Sequence, residues 1–176
     1  VEGMDAMILK EDVDVVRSLK GKPIPEDSTL GGEYVKGLYS AAAKLQRPMP
    51  RPEREVLDMW GGEIFVFPNL LILPQAGNAM MYRVRPDGFD PNSCIFEIYS
   101  TKTYGIDQPI PRAVVQVMTD ANDPEQFLPI PRQDFSNIPR MQKGLATIGC
   151  KQIWLASYYE MMILNLHQEM DRYLQA

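Results

Sequence analysis

Two runs of alternating side chains, set on either side of a turn-forming stretch, restrict this chain more than any other feature. Met80, Tyr82 and Val84 interleave with Met81, Arg83 and Arg85, and Cys94, Phe96 and Ile98 interleave with Ile95, Glu97 and Tyr99. A period of two puts successive side chains on opposite faces of an extended strand. Between the runs, Pro86-Asp87-Gly88 through Pro91-Asn92 supplies residues that reverse a chain. The pair predicts an antiparallel hairpin. Short apolar runs from Glu63 to Phe67 and Leu70 to Leu73, split by Pro68-Asn69, predict two more strands, and Val114 to Met118 a further one.

Helices flank this region. Met4, Met7, Ile8, Val15 and Leu19 recur at helical spacing, with Lys10, Glu11, Asp14 and Arg17 on the other side, which predicts an amphipathic helix from Met4 to Leu19. The acidic cluster Glu11, Asp12 and Asp14 reads as a solvated face. A second helix is predicted over Glu33 to Leu45, ended by Pro48, Pro50 and Pro52. At the other end of the chain, Ser157-Tyr158-Tyr159-Glu160 has the form of a capping box. From there Tyr159, Met162, Ile163, Leu166, Met170, Tyr173 and Leu174 mark one apolar stripe. A sheet and a helix with one apolar face each bury those faces against one another. The expected fold is α+β, a single domain over residues 1–176 in which a curved antiparallel sheet packs on a long C-terminal helix.

Size and charge exclude several classes. A domain of 176 residues buries roughly 70% of its unfolded surface, and 45% hydrophobic with 23% charged residues is ordinary for a soluble globular protein. No apolar run approaches the ~18 residues of a membrane span. A net charge of −5 offers no basic footprint for nucleic acid. Cys94 and Cys150 lie far apart, so neither a zinc knuckle nor a disulfide framework follows, and a reduced, cytoplasmic setting is expected. The start, Val1-Glu2-Gly3-Met4, has no signal-peptide pattern, and reads as a fragment or as a short remnant before Met4.

Taken residue by residue, the chemistry is sparse. No serine-hydrolase elbow, P-loop or dinucleotide-binding glycine pattern is present. Asp120-Ala121-Asn122-Asp123 lacks the glycine and terminal glutamate of a calcium loop and reads as a turn. The one histidine, His167, sits at the edge of the last apolar stripe and reads as partly buried and hydrogen-bonded. Most of the eleven methionines read as core filling. Asp134 on its own is a solvated carboxylate just before a helix capped by Ser136 or Asn137, with Pro139 in its first turn.

Three stretches change that reading together. Gly62-Glu63-Ile64-Phe65-Val66-Phe67-Pro68-Asn69-Leu70, the segment Gln133-Asp134 to Gly144-Leu145, and Gly149-Cys150 through His167 to Leu174 resemble, in this order, the catalytic domain of Rieske-type ring-hydroxylating oxygenase alpha subunits. The hairpin from Tyr82 to Tyr99 matches between them. The resemblance implies a helix-grip (START-like) fold and a mononuclear Fe(II) held by two histidines and one aspartate. Asp134 is similar to that aspartate. Both histidines, and a Rieske domain with its 2Fe-2S cluster, would then lie upstream of Val1, making this chain a partial catalytic domain that is inactive alone. Glu63, Leu73, Ile130 and Asn137 fall at positions resembling the substrate-binding lining. Implied partners are an aromatic substrate, dioxygen, a ferredoxin or reductase donor, and neighbouring subunits in a homotrimer or with a beta subunit. The implied reaction is hydroxylation in aromatic compound catabolism, to a cis-dihydrodiol, with monooxygenation or demethylation as variants. The alternative is a metal-free helix-grip module that binds a hydrophobic ligand without chemistry, or a domain kept for oligomer contacts.

Overall fold

The computed structural model describes residues 8–56, 62–75, 77–127, 129–147, 149 and 152–175. The first helix, α1 (Lys10–Leu19), is entered at Leu9 without a side-chain cap; Met4 and Met7, expected to begin it, lie outside the described residues. The second, α2 (Leu30–Lys44), is capped by Thr29, whose hydroxyl accepts the Gly32 N–H at 3.0 Å. Its other end closes before the prolines: Gln46 takes φ 49°, its N–H reaches the Ala43 carbonyl at 3.1 Å, and the Arg47 N–H reaches Ala42 at 2.9 Å. That pair of bonds is a Schellman closure.

The two helices form the one tightly sealed part of the described molecule. Val13, Leu38 and Ala42 are buried between them, and a Cβ on Gly37 would stand 2.4 Å from Val15 Cγ1, so the glycine permits their close approach. The Schellman turn carries Arg47 back into this seam, where its Nη2 donates to Asp12 Oδ1 at 3.1 Å. Asp12 is 1% exposed and Arg47 6% exposed. The reading of Asp12 as part of a solvated acidic face is therefore corrected: a partner 35 residues away makes its burial tolerable.

The sheet is a four-stranded antiparallel meander in the order β1 (Ile64–Val66), β2 (Leu70–Pro74), β3 (Asn78–Pro86), β4 (Cys94–Lys102). The β3–β4 hairpin is the predicted one, with Gly88 at φ 63° and Ser93 Oγ donating to Asp87 Oδ2 at 2.8 Å across the turn. In the β1–β2 turn, after a cis Phe67-Pro68 bond, Asn69 Nδ2 donates to the Val84 carbonyl at 2.7 Å. The sheet joins the helical pair at one end. The Thr103 N–H reaches the Gly77 carbonyl, the Ile106 N–H reaches Gln46, and the Arg47 guanidinium lies against Gly77.

Beyond β4 four expectations are corrected. Val114 to Met118 forms no strand; Val114 is 81% and Val115 90% exposed, and the stretch pairs with no sheet edge. The helix α3 (Pro129–Leu145) starts earlier than predicted, so Asp134 lies inside it and Pro139 is interior rather than in the first turn. Prolines at its first and third positions cost nothing there, because those N–H groups have no intrahelical acceptor. The capping box is not formed either. Glu160 occupies the N-cap of α4 (Met161–Leu174), and its carboxylate accepts from the Ala156 N–H, so it closes the turn before the helix. The stripe of this 14-residue helix stays largely exposed, with Tyr173 stacked on Phe67 at 5.2 Å. His167 is exposed too, against the expectation of a partly buried side chain. The whole is an α+β architecture with an open antiparallel sheet, in keeping with the helix-grip class.

Candidate functional site

Strand register sorts the sheet into two faces. Directly paired residues of an antiparallel sheet share a face, so Phe65, Leu71, Tyr82 and Ile98 form one row across it, flanked by a row of Leu73, Met80 and Ser100 and by the pair Val84 and Phe96. The opposite face carries Arg83, Arg85, Glu97 and Tyr99. There Glu97 accepts from Arg85 Nε at 3.0 Å and Nη2 at 2.8 Å, and from the Tyr99 hydroxyl at 3.1 Å. The Arg85 hydrogen bonds hold the Glu97 carboxyl below its ordinary value. The same face also carries the half-buried Ile64, Leu70, Ile72 and Met81.

The apolar face receives α3 through one ring. Phe135 makes edge contacts with Phe96 at 5.3 Å and Tyr82 at 6.4 Å, and Phe127, just before the helix, meets it at 5.3 Å. Two turns further on, Gln142 Nε2 donates to the Pro91 carbonyl in the hairpin turn at 3.3 Å. Tyr82 is half-buried at this packing. Burial pushes its phenol above the ordinary value, and the nearby charges of Asp134 and Glu63 push it further in the same direction.

Of the residues singled out from sequence, Asp134 and Glu63, 71 positions apart in the chain, both contribute charge that raises the phenol of this tyrosine. Both carboxylates are exposed, and neither has a hydrogen bond or ion pair among the described residues. Leu73 lies half-buried on the same sheet face as Tyr82. Ile130 is half-buried one turn before Asp134, and Asn137 is exposed one turn after it. Asp134, Asn137, Arg140 and Met141 line an open groove whose lining residues all belong to α3, so nothing in the described chain closes it from the far side. Tyr82 and Phe135 were missed as site residues. Their only local mark was an aromatic side chain at an inward phase, which core residues share.

The donor set limits what this chain can hold. Among the described residues no three of His, Cys, Asp and Glu come together at a spacing suited to a metal, and His167 lies on α4. A mononuclear iron needs three protein donors around open positions. Asp134 offers one carboxylate, so the described residues do not fit a complete centre.

An open antiparallel sheet is touched on its apolar face by α3 through Phe135, and the carboxylate of Asp134 is exposed beside that contact. The chain belongs to the family described as ring hydroxylating alpha subunit (catalytic domain), whose model matches residues 25–176. The match takes in α2, the sheet, α3 and α4 and leaves out α1. No curated protein and no solved structure matches the chain. The family is one of aromatic ring-hydroxylating oxygenases. No described helix is long and apolar enough to cross a membrane.

Proposed function

We propose that the complete protein is a cytoplasmic non-haem iron oxygenase that hydroxylates an aromatic substrate with dioxygen and electrons from a Rieske cluster, and that Asp134 is the carboxylate donor of its iron. The two imidazoles and the 2Fe-2S cluster would come from polypeptide outside residues 1–176, and a ferredoxin or reductase would deliver the electrons. The observation that supports this reading best is the seating of α3 on the apolar sheet face, where Phe135, next to Asp134, meets Tyr82 and Phe96. Leu73 and Ile130 would supply apolar walls for the ring, with Glu63 and Asn137 as the few polar groups that orient it. Assembly as a homotrimer, or with a beta subunit, would bring the donor cluster of one subunit near the next.

The test uses the complete subunit. Asp134→Ala is expected to lose iron while keeping the visible absorption of the cluster, and to lose incorporation of labelled dioxygen into an aromatic substrate. Iron content unchanged in that variant would overturn the assignment of Asp134. Anaerobic Fe(II) titration of the 176-residue chain is expected to show no tight stoichiometric binding; tight binding would mean that the donors are already present.

A further inference from the structure

Asp134 makes no hydrogen bond or ion pair of its own among the described residues, so its placement follows that of the helix that carries it. Its neighbour Phe135 is in a position to hold that helix. The ring meets Tyr82 of β3, Phe96 of β4 and Phe127 of the segment entering the helix, all three in perpendicular contact. Edge-to-face pairs are directional, because the positive edge of one ring meets the negative face of the other. Contacts from two strands and a turn therefore resist both sliding and rolling of α3.

Roll is what matters for the carboxylate. Successive residues of an α-helix lie about 100° apart around its axis, so a roll of one residue would put Asp134 under the helix and turn Phe135 out. Gln142, seven positions after Phe135 and on the same side of the helix, holds the same roll through the Pro91 carbonyl. Between these two anchors Pro139 removes the N–H that would bond the Phe135 carbonyl. Side-chain contacts therefore carry more of the helix's orientation there than its ladder does.

Building on the reading of Asp134 as the functional carboxylate, we infer that Phe135 is its positioning residue: the ring locks the roll of α3 and thereby holds the carboxylate at the flank that faces Tyr82. The inference needs no bound metal, and it can be read in the chain as it stands. With tyrosine rings labelled with carbon-13 and the Tyr82 signal assigned through Tyr82→Phe, Asp134→Asn is expected to move that signal. In a Phe135→Ala background the same substitution is expected to move it less than a third as far, while Phe135→Tyr restores the full displacement. An undiminished effect of Asp134→Asn beside Phe135→Ala overturns the inference. If Phe135→Ala loses its far-ultraviolet dichroism, Phe135→Leu and Phe96→Leu carry the same comparison, since each weakens the ring contacts and leaves apolar bulk. Tyr173→Ala, which removes the separate stack on Phe67, is expected to leave the Asp134→Asn displacement intact; a loss there would show general loosening and would also overturn it. Failure of the iron assignment is read separately, from the iron content of the complete Asp134→Ala subunit.

Discussion

The helical pair α1–α2 and the region after β4 are built on opposite terms. In the first, two short helices seal Val13, Leu38 and Ala42 together with an ion pair that water does not reach. In the second, a similar share of apolar residues is spread over an extended segment and a helix that leave most of them bare, from Ile110 through Val117 to Leu174. The candidate site lies between the two, on the sheet face covered by Phe135. Apolar content alone does not close a core. Closure needs a second surface of matching shape, which α2 supplies to α1 and which no described residue supplies to the segment from 109 to 118.

The sharpest way to break this contrast is to attack the buried pair. Arg47→Ala is expected to cost about 3–5 kcal/mol in urea unfolding, because it strands the Asp12 carboxylate without a partner. Replacing both partners, as Asp12→Leu with Arg47→Met, should recover most of the loss. A cost below 1 kcal/mol for the single change would show that water reaches the seam. Next is the joint between helices and sheet: a Cβ at Gly105 would stand 2.4 Å from the Leu45 carbonyl oxygen, and Gly105→Ala is expected to cost about 2 kcal/mol by the same measurement.

Alkaline titration sharpens the site side of the comparison. The folded phenol of Tyr82 is raised above its ordinary value of 10.0, first by burial and then by Asp134 and Glu63. Its contribution to stability is therefore complete below the unfolded value and lost as pH rises through the folded one. Asp134→Asn and Glu63→Gln should each lower the Tyr82 transition without abolishing the part due to burial. For the bare segment the expectation is near silence: Val115→Ser should change stability by less than about 0.5 kcal/mol, and a larger loss would mean that the residue is covered. The smallest effect belongs to Glu97. Its carboxyl is lowered by Arg85, so its contribution is present above the unfolded carboxylate value and lost as pH falls through the folded one. Acid unfolding of Glu97→Gln should show a slightly weaker pH dependence in that window.

Much of the fold was legible because it is periodic. The alternation around Pro86 to Asn92 yielded β3 and β4 with the right faces, and the Phe67-Pro68-Asn69 break yielded the turn between β1 and β2. Three local rules misled. Ser157 and Glu160 have the spacing of a capping box, yet the Glu160 carboxylate meets Ala156 instead. Pro139 looks like a first-turn residue, yet α3 was already running from Pro129, where Pro129 and Pro131 start it at no cost. Val114 to Met118 has strand composition, but composition finds no strand without an edge to pair. At the candidate site, Asp134 was singled out from the motif around it, while Tyr82 and Phe135 were not, because an inward aromatic residue looks the same in any core.

The order of residues, read with no coordinates, decides the strand hairpin, the body of the second helix, the family and the carboxylate chosen for test. These follow from interactions among residues close in the chain, or from motifs that travel intact. Contacts between distant segments decide the rest: Asp12 goes inside because Arg47 returns to meet it, and α3 is seated on the sheet because Phe135 meets Tyr82 and Phe96. Burial and electrostatic coupling depend on separation in space, and no local spacing encodes that separation.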